Sequence, residues 1–162
     1  IFNIEDNYVF RYNDKEKISH EHYTSIVYIN TNSNNPKHYP IWRENKVKEI
    51  FYHIYPSIVL GQCKVHRDED GLYGFRNWAF LSKEAEQKFL ETREIGFDDW
   101  KSGENLWVID SIFKRKHNEA MLYYRTFFTH LIGVGKPVQW LRLAANGLIR
   151  SHVKLTTREY HL

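Results

Sequence analysis

Asp110 ends the run Leu106-Trp107-Val108-Ile109. A carboxylate among apolar strand residues loses solvation and demands a cationic or hydrogen-bonding partner. Residues two apart in a strand share a face. Period two therefore puts Leu106, Val108, Asp110 and Ile112 on one side and Trp107, Ile109, Ser111 and Phe113 on the other. Both sets are mainly apolar, which predicts a central strand covered on both faces. Asp110 lies near the strand's C-terminal end, where open sheets place ligand and reaction sites. The structural alternative is a cap or ion pair for the basic turn Lys114-Arg115-Lys116-His117. Of the nine histidines, His38 has the most constrained setting, between Pro36 and Pro40 in a loop that leads to a helix. Proline fixes φ and reduces loop freedom, and a rigid loop can hold a base in place.

The other reactive residue types have simpler readings. His20 and His22 would share a strand face, but two ligands without a third make a surface pair, and no metal site is expected. His53 and His130 fall in helices among aromatic residues, where histidines are more often packed than catalytic. His66, His117, His152 and His161 sit near charged or terminal residues, where exposure is the default. Cys63, the single cysteine, excludes an internal disulfide and a cysteine zinc site. It reads as a small core or edge residue, and a reducing, cytoplasmic setting is the default. Gly133-Val134-Gly135-Lys136 follows a helix and precedes a strand, the reverse of a phosphate-cradling loop. It reads as a helix stop. Aromatic and basic residues interleave at helix and strand core positions, where packing is the simpler explanation than nucleic-acid stacking.

The elements that must position these residues follow from periodicity. Asn7–Tyr12 and the segment 22–30 are strand candidates, and the Asn/Ser-rich segment 30–36 is a loop. Residues 42–55 suit a helix, with Val47, Ile50, Phe51 and Ile54 at helical spacing and Pro56 as its end. Residues 57–66 and 72–81 read as strands of a hairpin turning at Asp70-Gly71. Ser82 caps a helix that runs to Gly96, strand 105–113 follows, and helix 118–132 carries Ala120, Tyr124, Phe127 or Phe128, and Leu131 on one stripe. Strands 137–144 and 148–155 flank a turn at Asn146-Gly147. The order β-β-α-β-β-α-β-α-β-β predicts one α/β (α+β) domain with a mixed sheet.

Bulk properties agree. The chain has 162 residues, 42% of them hydrophobic, enough for a single core. It has no signal-peptide pattern at Ile1–Asp6 and no run long enough to span a bilayer. Net charge is only +3. Residues 111–162, however, carry nine Lys and Arg against two acids, which suggests an acidic partner for the C-terminal third.

Two segments taken together resemble the toxin-activating lysine acyltransferases, which fatty-acylate RTX-type protoxins. Trp78-Ala79, then Asp99-Trp100-Lys101-Ser102-Gly103, then Trp107-Val108-Ile109-Asp110 match that family's pattern in order and spacing. Upstream, Pro36-Lys37-His38 with Trp42 matches its Pro-x-His step. The resemblance runs from about residue 34 to about 155. Departures are Asn34-Asn35 in place of serines, Phe80 in place of an asparagine, and Lys114-Arg115-Lys116 in place of Pro-Phe-Gly. Membership would imply a GNAT-like fold, largely antiparallel, with helices on both faces. Residues 1–33 would be an N-terminal extension of strands packed on an acyltransferase-like domain, 34–162. It would imply transfer of a fatty acyl group from acyl-phosphopantetheine on acyl carrier protein to a protein lysine, with no tightly bound cofactor. His38 would be the base and Asp110 its partner. Trp78 and Phe80 are candidates for lining the acyl chain, and Arg142 for contacting the carrier. A homodimer is open to such a chain. A non-catalytic protein- or nucleic-acid-binding module on the same fold, and a CoA-dependent N-acetyltransferase, are the rival readings.

Overall fold

A computed structural model describes residues 47–159, apart from Ala145 and Gly147. The elements run α1 (Val47–Val59), β1 (Cys63–Asp68), β2 (Gly71–Leu81), α2 (Lys83–Thr92), a 3-10 turn (Phe97–Asp99), β3 (Asn105–Phe113), α3 (His117–Ile132), β4 (Pro137–Leu143) and β5 (Ile149–Thr156). The strands form one sheet in the order β1-β2-β3-β4-β5, so β3 is central as expected. Every neighbouring pair is antiparallel except β3 and β4. The mixed, largely antiparallel sheet of the α+β reading is therefore present. The two early strand candidates and the 1–33 extension lie outside the described residues. None of the described helices is long and apolar enough to cross a membrane.

Alternation along β2 sorts the two faces. Trp78 and Phe80 pack with Tyr124 and Phe128 of α3. Ala79 and Leu81 point the other way and pack with Ala85 and Phe89 of α2, together with Trp100 and Trp107. Fully burying side chains of this size contributes about 1.5–3 kcal/mol each. The α3 face also holds His66, whose ring lies 5.4–5.7 Å from those of Tyr73, Phe113, Tyr123 and Tyr124. His66 is thus packed and not exposed as its charged sequence neighbours suggested. Arg115 and Lys116 both pair with Asp68, tying the turn before α3 to the end of β1. The basic turn therefore has its own carboxylate and does not draw on Asp110.

Two boundaries differ from expectation. Helix α1 continues through Pro56 to Val59, so Ser57–Val59 is helix and β1 begins only at Cys63. Ile54, Pro56, Ser57 and Ile58 are all buried, and this packing outweighs the hydrogen bond that proline forfeits. Beyond it, Leu60 N–H donates to Pro56 O (3.0 Å) and Gln62 N–H to Ser57 O (2.7 Å). Helix α2 stops at Thr92, before Gly96, with Arg93 in the left-handed region at φ 64°. Thr92 supplies the reason: its hydroxyl donates to Lys88 O (2.7 Å) and accepts from Glu94 N–H (3.1 Å), offering the chain a turn in place of another helical residue.

Candidate functional site: a bulge on the central strand

Strands β2 and β3 pair Ala79 with Trp107 and Trp78 with Val108, then Arg76 with Ser111 and Phe75 with Ile112, with a register shift between. Asn77 alone therefore faces two residues, Ile109 and Asp110, which is a β-bulge. The extra residue reverses the parity of the strand. Leu106 and Val108 before it, and Phe113 after it, all belong to the α3 face. Ile109 packs instead against the Trp107 cluster. Asp110 is turned to that same face, toward α1 and α2, and does not share a side with Leu106 and Val108 as strict alternation predicted.

Asn77 fills the bulge. Its Oδ1 accepts the Asp110 backbone N–H at 2.7 Å, and its Nδ2 donates to Asp110 Oδ2 at 2.9 Å. The same Nδ2 donates to Ser57 Oγ at 3.2 Å, and that hydroxyl donates to Ile54 O at 2.6 Å. The fourth member is His53, whose Nε2 lies 2.9 Å from Asp110 Oδ2 and 3.1 Å from Oδ1. His53 and Ser57 are four residues apart, hence on one face of α1. One helix face, one strand side chain and one bulge thus converge on a carboxylate that is 9% exposed, while His53 is 36% exposed. Burial pulls the His53 pKa down, but the Asp110 charge and hydrogen bond together outweigh it and leave the ring above its ordinary 6.5. Trp100 meets the imidazole in a T-shaped arrangement, with ring centroids 6.3 Å apart.

The Asp99–Gly103 segment supports this arrangement. Past Asn77 the β1 partner ends, and Trp100–Ser102 takes its place beside β2: Phe80 N–H donates to Trp100 O (2.9 Å) and Ser102 N–H to Phe80 O (2.8 Å). Gln62 Nε2 ties both strips together through Trp78 O (3.0 Å) and Trp100 O (2.9 Å). Gly103 is obligatory for close approach: a Cβ there would stand 2.6 Å from Leu81 O and from the backbone of Ser82.

Beside the bulge the sheet opens. Strands β3 and β4 pair over only Leu106–Val138 and Trp107–Gln139, while β4 goes on pairing with β5 as far as Leu143. Beyond Trp107, among the described residues, β3 and β4 face each other without ladder bonds. Such a gap offers backbone donors and acceptors to an extended amide-bearing chain.

Of the residues singled out in the sequence, Asp110 stands at this site, and His38 lies outside the described residues. Trp78 is buried and Phe80 partly buried on the α3 face, across the sheet from Asp110. Arg142 is exposed on β4. His53, Asn77 and Ser57 were not anticipated. Two signals pointed to them: an asparagine amid the apolar strand 72–81, and a His/Ser pair at helical spacing, hidden once Pro56 was read as a helix end. Cys63 is no nucleophile, since burial pushes its thiol up to about 12.

Comparison with known proteins points one way. Lysine-acyltransferase RtxC of Vibrio cholerae is 32% identical over 88 residues, 53% of this chain and 58% of its own. Leukotoxin-activating lysine-acyltransferase LtxC of Aggregatibacter actinomycetemcomitans is 34% identical over 83 residues, 51% of this chain and 49% of its own. RTX-II toxin-activating lysine-acyltransferase ApxIIC of Actinobacillus pleuropneumoniae is 28% identical over 74 residues, 45% of this chain and 46% of its own. The chain thus spans about half the length of the curated relatives it matches. A family model covers more of it, residues 19–143, which include α1, the bulge and the opening between β3 and β4. On that match, over more than half of its length, the chain belongs to the RTX toxin acyltransferase family.

Proposed function

We propose that this protein transfers a fatty acyl group from acyl carrier protein to a lysine ε-amine of a protein acceptor. The observation that carries the reading is the Asp110 carboxylate, buried at a bulge beside the opening between β3 and β4 and already bonded to an imidazole. His38 takes a proton from the lysine ammonium, and Asp110 stabilises the resulting imidazolium. The free amine attacks the thioester carbonyl carbon, the C–S bond breaks, and the departing phosphopantetheine thiolate recovers a proton as the amide forms. The amides of the phosphopantetheine arm suit the gap beyond Trp107 and Gln139. Exposed Arg125, Arg142, Arg150, Lys154 and Arg158 suit an acidic carrier. An acyl-lining role for Trp78 and Phe80 would run on the α3 face.

The test is intact-mass analysis of RTX-type acceptor fragments incubated with acyl carrier protein thioesters. His38→Ala and Asp110→Asn should each slow acylation by roughly 10²–10⁴-fold. Unchanged rates in both would overturn the site. Transfer from acyl-CoA but not from acyl carrier protein would make the donor CoA.

A further inference from the structure

The imidazole on Asp110 within the described residues is that of His53. We propose that His53 is a positioning residue for the reaction: it fixes the plane of the Asp110 carboxylate and so aims it at the base. The inference rests on the acyl-transfer reading above.

The geometry is a closed cycle. His53 Nε2 straddles both carboxylate oxygens, at 2.9 and 3.1 Å, and Asn77 Nδ2 adds a second donor to Oδ2 at 2.9 Å. Asn77 continues to Ser57, which returns to α1 one turn beyond His53. A carboxylate with one donor can rotate about its Cβ–Cγ bond; one held from two elements cannot. Within the cycle Oδ2 carries two donors and Oδ1 shares one, so Oδ1 is the oxygen with acceptor capacity to spare for a base. Catalytic groups need positions held to within about 0.5 Å, and that precision comes from supporting hydrogen bonds of this kind. His53 also stands on a helix packed by Ile54 and Ile58, which limits its own freedom.

Two measurements test this. The first needs no activity. ¹⁵N NMR of the imidazole should show His53 protonated at Nε2 in the neutral form, and Asp110→Asn should lower its pKa to below the ordinary value, since burial then acts without the opposing carboxylate charge. A His53 titration indifferent to Asp110→Asn would overturn the pairing. The second compares His53→Ala with His53→Gln, whose amide N–H can reach the same oxygens. Both variants are first checked for a cooperative thermal transition. His53→Ala should cut kcat about 10–100-fold with KM for acyl carrier protein little changed, the pattern of lost transition-state alignment. His53→Gln should restore most of that loss. Wild-type kcat in His53→Ala, or a Gln variant that folds yet is no faster than Ala, would overturn the positioning role. Should the wild type acylate nothing from either donor, the acyl-transfer reading fails, while the NMR experiment still decides the His53–Asp110 pair.

Discussion

The carboxylate of Asp110 is held by three hydrogen bonds, and its backbone N–H makes a fourth contact, to Asn77. Asn77 is therefore as much a part of the site as the charged pair. It is fully buried, and each polar atom of its amide group has a partner. Asn77→Leu keeps the branched outline of the side chain and removes the bonds, leaving the Asp110 N–H buried without its acceptor. We predict a loss of about 1–3 kcal/mol, read as a lower urea midpoint at constant m-value. An unchanged midpoint would show that water or another group replaces the amide.

At the scale of elements, the bulge decides which side of the sheet Asp110 serves. Without it, Asp110 would face α3 and its aromatic residues, on the opposite side of the sheet from His53, Asn77 and Ser57. The strip Trp100–Ser102 keeps β2 in register by replacing β1 at its end, and Gly103 lets that strip lie against the start of α2. Gly103→Ala should push the strip away from the Leu81–Ser82 backbone at a cost of about 1–3 kcal/mol. Hydrogen exchange should then quicken at Phe80 and Ser102, whose N–H groups bond within that junction. Exchange at both sites as slow as in the wild type would contradict this account. Helix α1 shows the same interplay in reverse, since its buried face carries the helix past Pro56 and so brings Ser57 to Asn77.

For the whole molecule, the two faces of the sheet have different chemistry. The α1/α2 face holds the polar cycle, and the α3 face holds His66 in an aromatic box with its Nε2 2.6 Å from the Tyr124 hydroxyl. Burial first, and then the charges of Lys64 and Arg76, lower the His66 pKa to about 4. The unfolded chain binds this proton near pH 6.5 and the folded one only near 4, so stability is complete above 6.5 and is lost as pH falls between the two. With solvent screening of this partly exposed ring, the expected loss is roughly 1–2 kcal/mol by pH 4. Chemical denaturation from pH 7 to 4 should show it, and His66→Gln, which does not titrate, should flatten the slope. An equal slope in that variant would assign the acid sensitivity elsewhere. Local sequence determined much of this protein: the central β3 from its two apolar faces, the hairpin from Asp70-Gly71, helix α3 from its 3.6-residue stripe, and Asp110 as a carboxylate in need of a partner. Those signals are short-range, and each is written within one element. Tertiary structure alone decided the bulge opposite Asn77, the passage of α1 through Pro56, and the meeting of His53 with Asp110, 57 residues apart. Each of these depends on how one element registers against another, and a period read along one strand carries no information about the residue it must face.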